Sequence, residues 1–322
     1  MGPGRRPDYE DWKMAVLIMA AVLKKRKSKS AQYRFLHEHR QSLMELLDLA
    51  SFPARSTYFD RYRRVRELFE IAIRLQGRKA IAEGVAQAEI VAVDQSFVEA
   101  RGPEWHRNDR RANRIPKKLR GVDRDCGWGY CAHHGWVQGY SYEVVVTASR
   151  GSTVLPLLAS VQPANKRESV TFGPKIDRLP RQARYVLADG AYDCNVYGDR
   201  IEYDDRWRLT GCRFVCPPRK RAQPGSTPKK NRRAARARRN RRISFYDSKR
   251  GRRLAARRGR SVEPFNEWFK SLFELDGRVW HRGLGNNQTQ ILAALLGYQL
   301  LLRYNRRRGH HNGQVKWILD GL

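Results

Sequence analysis

Three carboxylates, Asp94, Asp189 and Glu263, stand out by what surrounds them. Asp94 ends the β-branched run Glu89-Ile90-Val91-Ala92-Val93, and Asp189 ends the run Ala183 to Ala188. Runs of that kind read as strands buried on both faces, and open α/β sheets tend to place their sites at the carboxyl ends of such strands. If the two strands are neighbours, the two aspartates meet at one sheet edge. Glu263 opens a helical stretch in which Phe265, Trp268, Phe269, Leu272 and Phe273 form one apolar stripe. Pro264 is expected in the first turn, which puts Glu263 at the helix start, with Glu263, Glu267 and Lys270 in a narrow sector opposite the stripe. Hard oxygen donors gathered in this way suit divalent ions that activate water at a phosphodiester and stabilise the leaving oxygen. Each residue also has an ordinary reading, the aspartates as turn formers or caps and the glutamate as a first-turn residue favoured by the helix dipole.

The charge balance sets the context for such a site. Among 322 residues, 65 are Lys or Arg and 32 are Asp or Glu, a formal net charge of +33. A soluble chain so basic calls for a polyanionic partner, and nucleic acid is the natural one. The apolar run Met14 to Leu23 is too short to span a bilayer, and its basic residues follow rather than precede it, so it reads as a core helix and not as a signal peptide. Five cysteines do not make a disulfide framework and fit a reducing, cytoplasmic compartment.

The elements that must position the carboxylates follow from periodicity. Residues 1–82 read as a small helical domain. Trp12, Val16, Leu17, Met19, Ala20 and Leu23 recur at helical spacing, and Ser51-Phe52-Pro53 breaks the pattern. Ser56-Thr57 then offers an N-cap for a basic helix through Tyr58, Arg61, Arg63, Arg64 and Arg66. That arrangement suits a helix-turn-helix with Arg61 and Arg64 facing DNA, although a bundle with a solvated basic face reads equally well. Residues 83–306 read as an α/β domain. Its strands are the run ending at Asp94, Tyr142 to Thr147, Thr153 to Val161 across the turn Ala148 to Ser152, and the run ending at Asp189, with a helix at about Ser169 to Leu179. An apolar helix, Gln290 to Leu302, closes the domain before a tail at 307–322.

Between Pro217 and Arg260 there are nineteen Lys or Arg, with Asp247 the single acid. Like charges repel, so this segment is expected to be loosely held until it meets phosphates, with Arg241, Arg242, Arg258 and Arg260 among the contacts. Gln223-Pro224-Gly225-Ser226-Thr227-Pro228 in particular does not read as regular structure.

The sequence resembles the DDE transposases of bacterial insertion sequences. Val91-Ala92-Val93-Asp94-Gln95-Ser96 is similar to the family's first-strand motif, and Val186-Leu187-Ala188-Asp189-Gly190-Ala191-Tyr192-Asp193 to its second, where a Tyr follows the Asp. Glu263 with Lys270 seven residues on resembles the third. Gly135-Trp136-Val137-Gln138-Gly139-Tyr140 is also similar to a stretch of these enzymes. The resemblance implies a ribonuclease-H-like mixed sheet with flanking helices. It further implies Mg²⁺ or Mn²⁺, double-stranded DNA with terminal inverted repeats, a homodimer on DNA and a nucleoid-associated protein. Asp94 would bridge two ions, Asp189 and Glu263 would hold one each, and Lys270 would contact a phosphate. Glu267 is the alternative third ligand. The family's Tyr and Arg seven and four residues before the Glu are Ala256 and Gly259 here, which leaves Arg258 and Arg260 as replacements. The Arg-rich segment also stands where many relatives carry a β-rich insertion. A DNA-binding protein without activity, or a nuclease of the same fold, remains open.

Other groupings are weaker. Cys126, Cys131, His133 and His134, and the pair Cys212 and Cys216, lack zinc spacing. Trp128, Tyr130, His133, His134 and Trp136 read better as an aromatic loop able to stack on an unpaired base, or as rings packed beneath that loop. Asp123 and Asp125 are further carboxylates, and Asp193 is expected to cap the next helix. No Walker-type loop occurs, so no ATP requirement is expected.

Overall fold

The computed structural model describes residues 9–105, 108, 109, 112, 114, 118–131, 135–219, 232–310 and 313–321. His133, His134 and residues 223–228 lie outside them. Among the described residues five helices come first: α1 (Asp11–Leu23), α2 (Lys29–Glu38), α3 (Arg40–Leu47), α4 (Arg55–Tyr62) and α5 (Arg66–Ala82). The basic helix expected through Arg66 is therefore two helices. The first begins with Tyr58 N donating to the Ala54 carbonyl, so Ser56 and Thr57 sit inside its first turn and no side chain caps it. It stops after Tyr62, whose buried ring is fixed by a hydrogen bond between its hydroxyl and His281 at 3.1 Å.

The sheet holds β1 (Ile90–Glu99), β2 (Gly127–Cys131), β3 (Gly135–Thr147), β4 (Pro156–Pro163), β5 (Tyr185–Leu187) and β6 (Arg213–Val215). β1 pairs with β3 antiparallel on one side and with β5 parallel on the other, β5 pairs with β6 parallel, and β4 pairs with β3 antiparallel. Three antiparallel strands followed by two parallel ones beside the first is the ribonuclease-H-like order. β2 and β6 escaped the sequence reading because five and three residues carry too little periodicity. The stretch from Gly135 to Tyr140 belongs to β3 itself, and Trp128, Tyr130 and Trp136 lie on the antiparallel pair β2 and β3. Gly139 is paired with Glu99 on one side and Gly127 on the other. A Cβ there would lie 2.0 Å from the Val98 carbonyl oxygen, so only glycine admits this approach.

Between β4 and β5 lie two short helices, α6 (Glu168–Thr171) and α7 (Gly173–Ile176), in place of the one expected. Phe172 separates them and is fully buried between Tyr192 and Tyr197. Beyond β5 come α8 (Asn195–Glu202), α9 (Arg232–Asp247), α10 (Lys249–Leu272), α11 (Leu284–Arg307) and α12 (Lys316–Gly321).

From Arg232 the basic segment is helical, against the expectation of a loose chain. Arginine and alanine have high helix propensity, and acids from α8 and the turn before it neutralise one face of α9. Arg238 makes a forked pair with Asp199 at 3.1 and 3.0 Å, Arg239 a forked pair with Asp193 at 2.7 and 2.6 Å, and Arg242 reaches Asp199 at 2.8 Å.

α10 also corrects the placement of Pro264, which lies inside this 24-residue helix rather than in its first turn. The proline forfeits one hydrogen bond, to the Arg260 carbonyl. The apolar stripe on either side, with Val262, Phe265 and Phe269 at most 4% exposed, holds the helix against that loss.

The N-terminal helices share a core with the sheet. Gln299 of α11 donates to the carbonyls of Ile73 in α5 at 2.9 Å and Pro156 in β4 at 2.5 Å, so the boundary at residue 82 does not interrupt the packing. Among the described residues no helix is long and apolar enough to cross a membrane.

Candidate active site

Val91, Ala92 and Val93 are fully buried in β1, and Val186 and Leu187 in β5. The parallel register pairs Val91 with Val186 and Ala92 with Leu187, so two residues further on Asp94 and Asp189 come level at the carboxyl ends of neighbouring strands. Asp189 uses Oδ1 to accept from Ala191 N at 2.8 Å, which starts the single turn Gly190–Tyr192. Its ordinary role as a cap therefore occupies one oxygen and leaves Oδ2 facing the site.

α10 crosses this edge with its apolar stripe inward; the rings of Phe269 and Tyr142 meet at 5.6 Å. Glu263 stands on the outer side, 61% exposed. Arg258, also on α10, reaches all three acids: Asp94 Oδ1 at 2.5 Å, Glu263 Oε1 at 3.4 Å and Asp189 Oδ2 at 3.7 Å. Asn266 donates through Nδ2 to Asp94 Oδ2 at 2.8 Å. Sequence reasoning missed it; the available signal was a polar residue flanked by the apolar stripe, one turn beyond Val262.

Burial pushes the Asp94 carboxyl up to about 6; Arg258 opposes that rise and the Asp189 charge adds to it. Lys270 is held below the ordinary lysine value, chiefly by burial, while Asp276, Asp94 and Glu267 favour its charged form. The ammonium thus lies within electrostatic reach of the acids. Asp94, Asp189 and Glu263 are hard oxygen donors of the type Mg²⁺ and Mn²⁺ take. Asn266 Oδ1, buried beside them without a hydrogen-bond partner, is a further uncommitted oxygen. The donor chemistry therefore fits such ions. Among the described residues no three His, Cys, Asp or Glu close around one point, because the Arg258 guanidinium lies between the acids.

A second buried cluster was not read from the sequence. Glu143, fully buried on β3, accepts from Lys175 Nζ at 2.6 Å, Thr171 Oγ1 at 2.6 Å and the Tyr192 hydroxyl at 3.0 Å. Lys175 also donates to Ser160 Oγ at 2.6 Å and the Thr171 carbonyl at 3.1 Å. Tyr192 thereby ties the turn that starts at Asp189 to the sheet.

Several expected residues serve elsewhere. Asp193 is the partner of Arg239 and accepts from Arg219 N, and the N-cap of α8 is Cys194. Asp123 and Asp125 hold the entry to α11, accepting from Gly283 N at 3.0 Å and Leu284 N at 2.9 Å. Arg242 is largely covered among Asp199, Glu202 and Asn195, and Arg61 is drawn to Asp11 and the Tyr9 carbonyl. Arg64, Arg241 and Arg260 are exposed, Arg64 beside Asp60 and Arg241 donating to the Tyr203 hydroxyl.

Two solved structures are slightly similar over most of their length. The Mos1 transposase paired-end complex with left transposon end has 12% identity and a TM-score of 0.22 over 95% of this chain and 81% of that one. A pre-cleavage Mos1 transpososome has 11% identity and a TM-score of 0.18 over 93% and 80%. Likenesses so slight carry no argument, and no curated protein matches significantly. The family model for the transposase DDE domain matches residues 86–300, from just before β1 into α11, and with it the chain belongs to the DDE transposase family.

Proposed function

We propose that this chain is a metal-dependent DNA transposase that cuts phosphodiester bonds at the ends of an insertion sequence and joins the 3′ ends to target DNA. The observation that carries the reading is the meeting of Asp94, Asp189 and Glu263, remote in sequence, around one cation. Asp94, Asp189 through Oδ2, and Glu263 on the solvent side would hold the ions. Bound Mg²⁺ or Mn²⁺ would supply a lowered water pKa and charge stabilisation at the leaving oxygen. Asn266 holds Asp94 in place, and Lys270 contacts a backbone phosphate. DNA follows the basic faces, with Arg64, Arg241 and Arg260 among the contacts and the N-terminal helices reading the repeat. Both ends must be handled together, which calls for a homodimer on DNA.

A labelled terminal-repeat duplex incubated with Mg²⁺ and a target plasmid tests this. The expected result is joined product, with Asp94→Asn and Asp189→Asn giving neither cleavage nor joining while still binding the duplex. Cleavage without joining identifies a nuclease instead, and binding alone a regulator. Affinity should fall steeply with salt, the log–log slope losing about 0.9 for each phosphate contact removed. Arg241→Ala should flatten that slope, whereas Arg242→Ala, already committed to Asp199, should not.

A further inference from the structure

The position of Arg258 carries a consequence for the order in which DNA and metal arrive. We propose that Arg258 is a removable counter-cation: without DNA its guanidinium fills the space among Asp94, Asp189 and Glu263, and a DNA phosphate opens that space to divalent ions by drawing the guanidinium away. The inference rests on the metal-dependent reading above and adds a coupling to it.

Three observations support the exchange. First, among the described residues every bond the Arg258 side chain makes is to those three acids, and its Nε is buried without a hydrogen-bond partner. The arginines of α9 differ: Arg239 and Arg238 are forked onto single aspartates, a geometry that locks the guanidinium. Second, three formal negative charges are paired with one guanidinium, and even with the Lys270 ammonium in electrostatic reach the formal charges leave an excess of acid that a further cation can meet. Third, Arg258 sits next to Gly259 and upstream of Pro264, which leaves the Arg260 carbonyl without its helical donor. Glycine and a missing bond both weaken a helix locally, so this turn of α10 can yield more readily than the turns flanking it. Arg260 and Arg257 on the same stretch give an approaching phosphate its first contacts. Phosphate offers a guanidinium the same forked acceptor geometry as a carboxylate, without the crowding of three acids. By linkage, DNA must then tighten metal binding by the same factor as metal tightens DNA binding.

The test is Mn²⁺ binding followed by electron paramagnetic resonance on the full chain, with Mn²⁺ alone and with a short duplex of arbitrary sequence. It is run at pH 8, because losing Arg258 pushes the Asp94 carboxyl further up. The wild-type protein should bind Mn²⁺ weakly alone and roughly tenfold or more tightly with duplex, within the range of ordinary allosteric coupling. Arg258→Gln should bind Mn²⁺ tightly without DNA and gain little from the duplex, while Arg258→Lys, which keeps the charge, should stay near wild type. Equal Mn²⁺ affinity for wild type and Arg258→Gln, with Asp94→Asn still abolishing it, overturns the exchange but leaves the metal site standing. Mn²⁺ binding indifferent to Asp94→Asn in every background removes the metal site and the exchange together. If Arg258→Gln fails to fold, a wild-type affinity unchanged by duplex is sufficient to overturn the proposal.

Discussion

Two charged clusters, one balanced and one with an excess of acid, lie one residue apart in register, on opposite faces of the same pair of strands. Asp94 is paired with Val144 and Gln95 with Glu143, so the period of two sends Asp94 toward α10 and Glu143 toward α6 and α7. Around Glu143 each acceptor is met: one acid, one ammonium, and the hydroxyls of Thr171, Ser160 and Tyr192, with Glu143 and Lys175 at 0% and 7% exposure. Around Asp94 three acids share one guanidinium, polar atoms of Asn266 and Arg258 are left unmatched, and Glu263 opens to solvent. A saturated, closed cluster fixes structure. One with surplus acid and an open side is built to exchange its cation.

The contrast is sharpest in stability. Glu143→Ala leaves the Lys175 ammonium buried without a counter-charge and should cost about 3–5 kcal/mol in urea unfolding. Glu143→Leu combined with Lys175→Met should recover most of that loss, since removing both charges removes the desolvation penalty as well. A cost under about 1 kcal/mol for the single change would show that the pocket admits water and that the contrast is false.

Asp94 should behave in the opposite sense. Its carboxyl is raised to about 6, above the unfolded value, so proton binding favours the folded state and stability is lost as pH rises through about 6. Asparagine does not titrate. Asp94→Asn in the metal-free protein should therefore be more stable than wild type at pH 8, by up to ~3 kcal/mol, with the gap closing below about pH 4. Thermal melts across that range check the sign. Tyr192→Phe comes next, at about 1 kcal/mol for the lost hydrogen bond to Glu143. Because Tyr192 anchors the Asp189 turn, cleavage at saturating DNA should fall while the affinity for DNA stays the same.

What the sequence made legible follows the same division. The strand ending at Asp94, the strand ending at Asp189 and the apolar stripe of α10 each announce themselves within a dozen residues, because buried strands and amphipathic helices carry local patterns. Glu143 and Lys175 are 32 residues apart, and the acids that neutralise α9 come from about 40 residues upstream. Like-charge repulsion therefore looked unopposed, and the segment from Arg232 read as loose where it is helical. Pro264 misled for a related reason. A proline rule is local, whereas what holds α10 through it is tertiary contact, such as Phe265 against Tyr298 and Phe269 against Tyr142. Asn266 stayed invisible because its partner, Asp94, is 172 residues away.

The smallest expected changes in stability belong to the two glutamates of α10. Glu263 is 61% exposed and its contact with Arg258 at 3.4 Å is a surface ion pair, so Glu263→Gln should move unfolding by no more than ~0.5 kcal/mol. Glu267, one turn on, is also exposed, and Glu267→Gln should be as quiet in stability. Strand cleavage should tell them apart, being lost in Glu263→Gln and kept in Glu267→Gln, because only Glu263 shares Arg258 with both aspartates. Loss in the Glu267 variant alone would move the third ligand one turn along the helix. It would also mean that the guanidinium marks a salt bridge and not the place a metal takes.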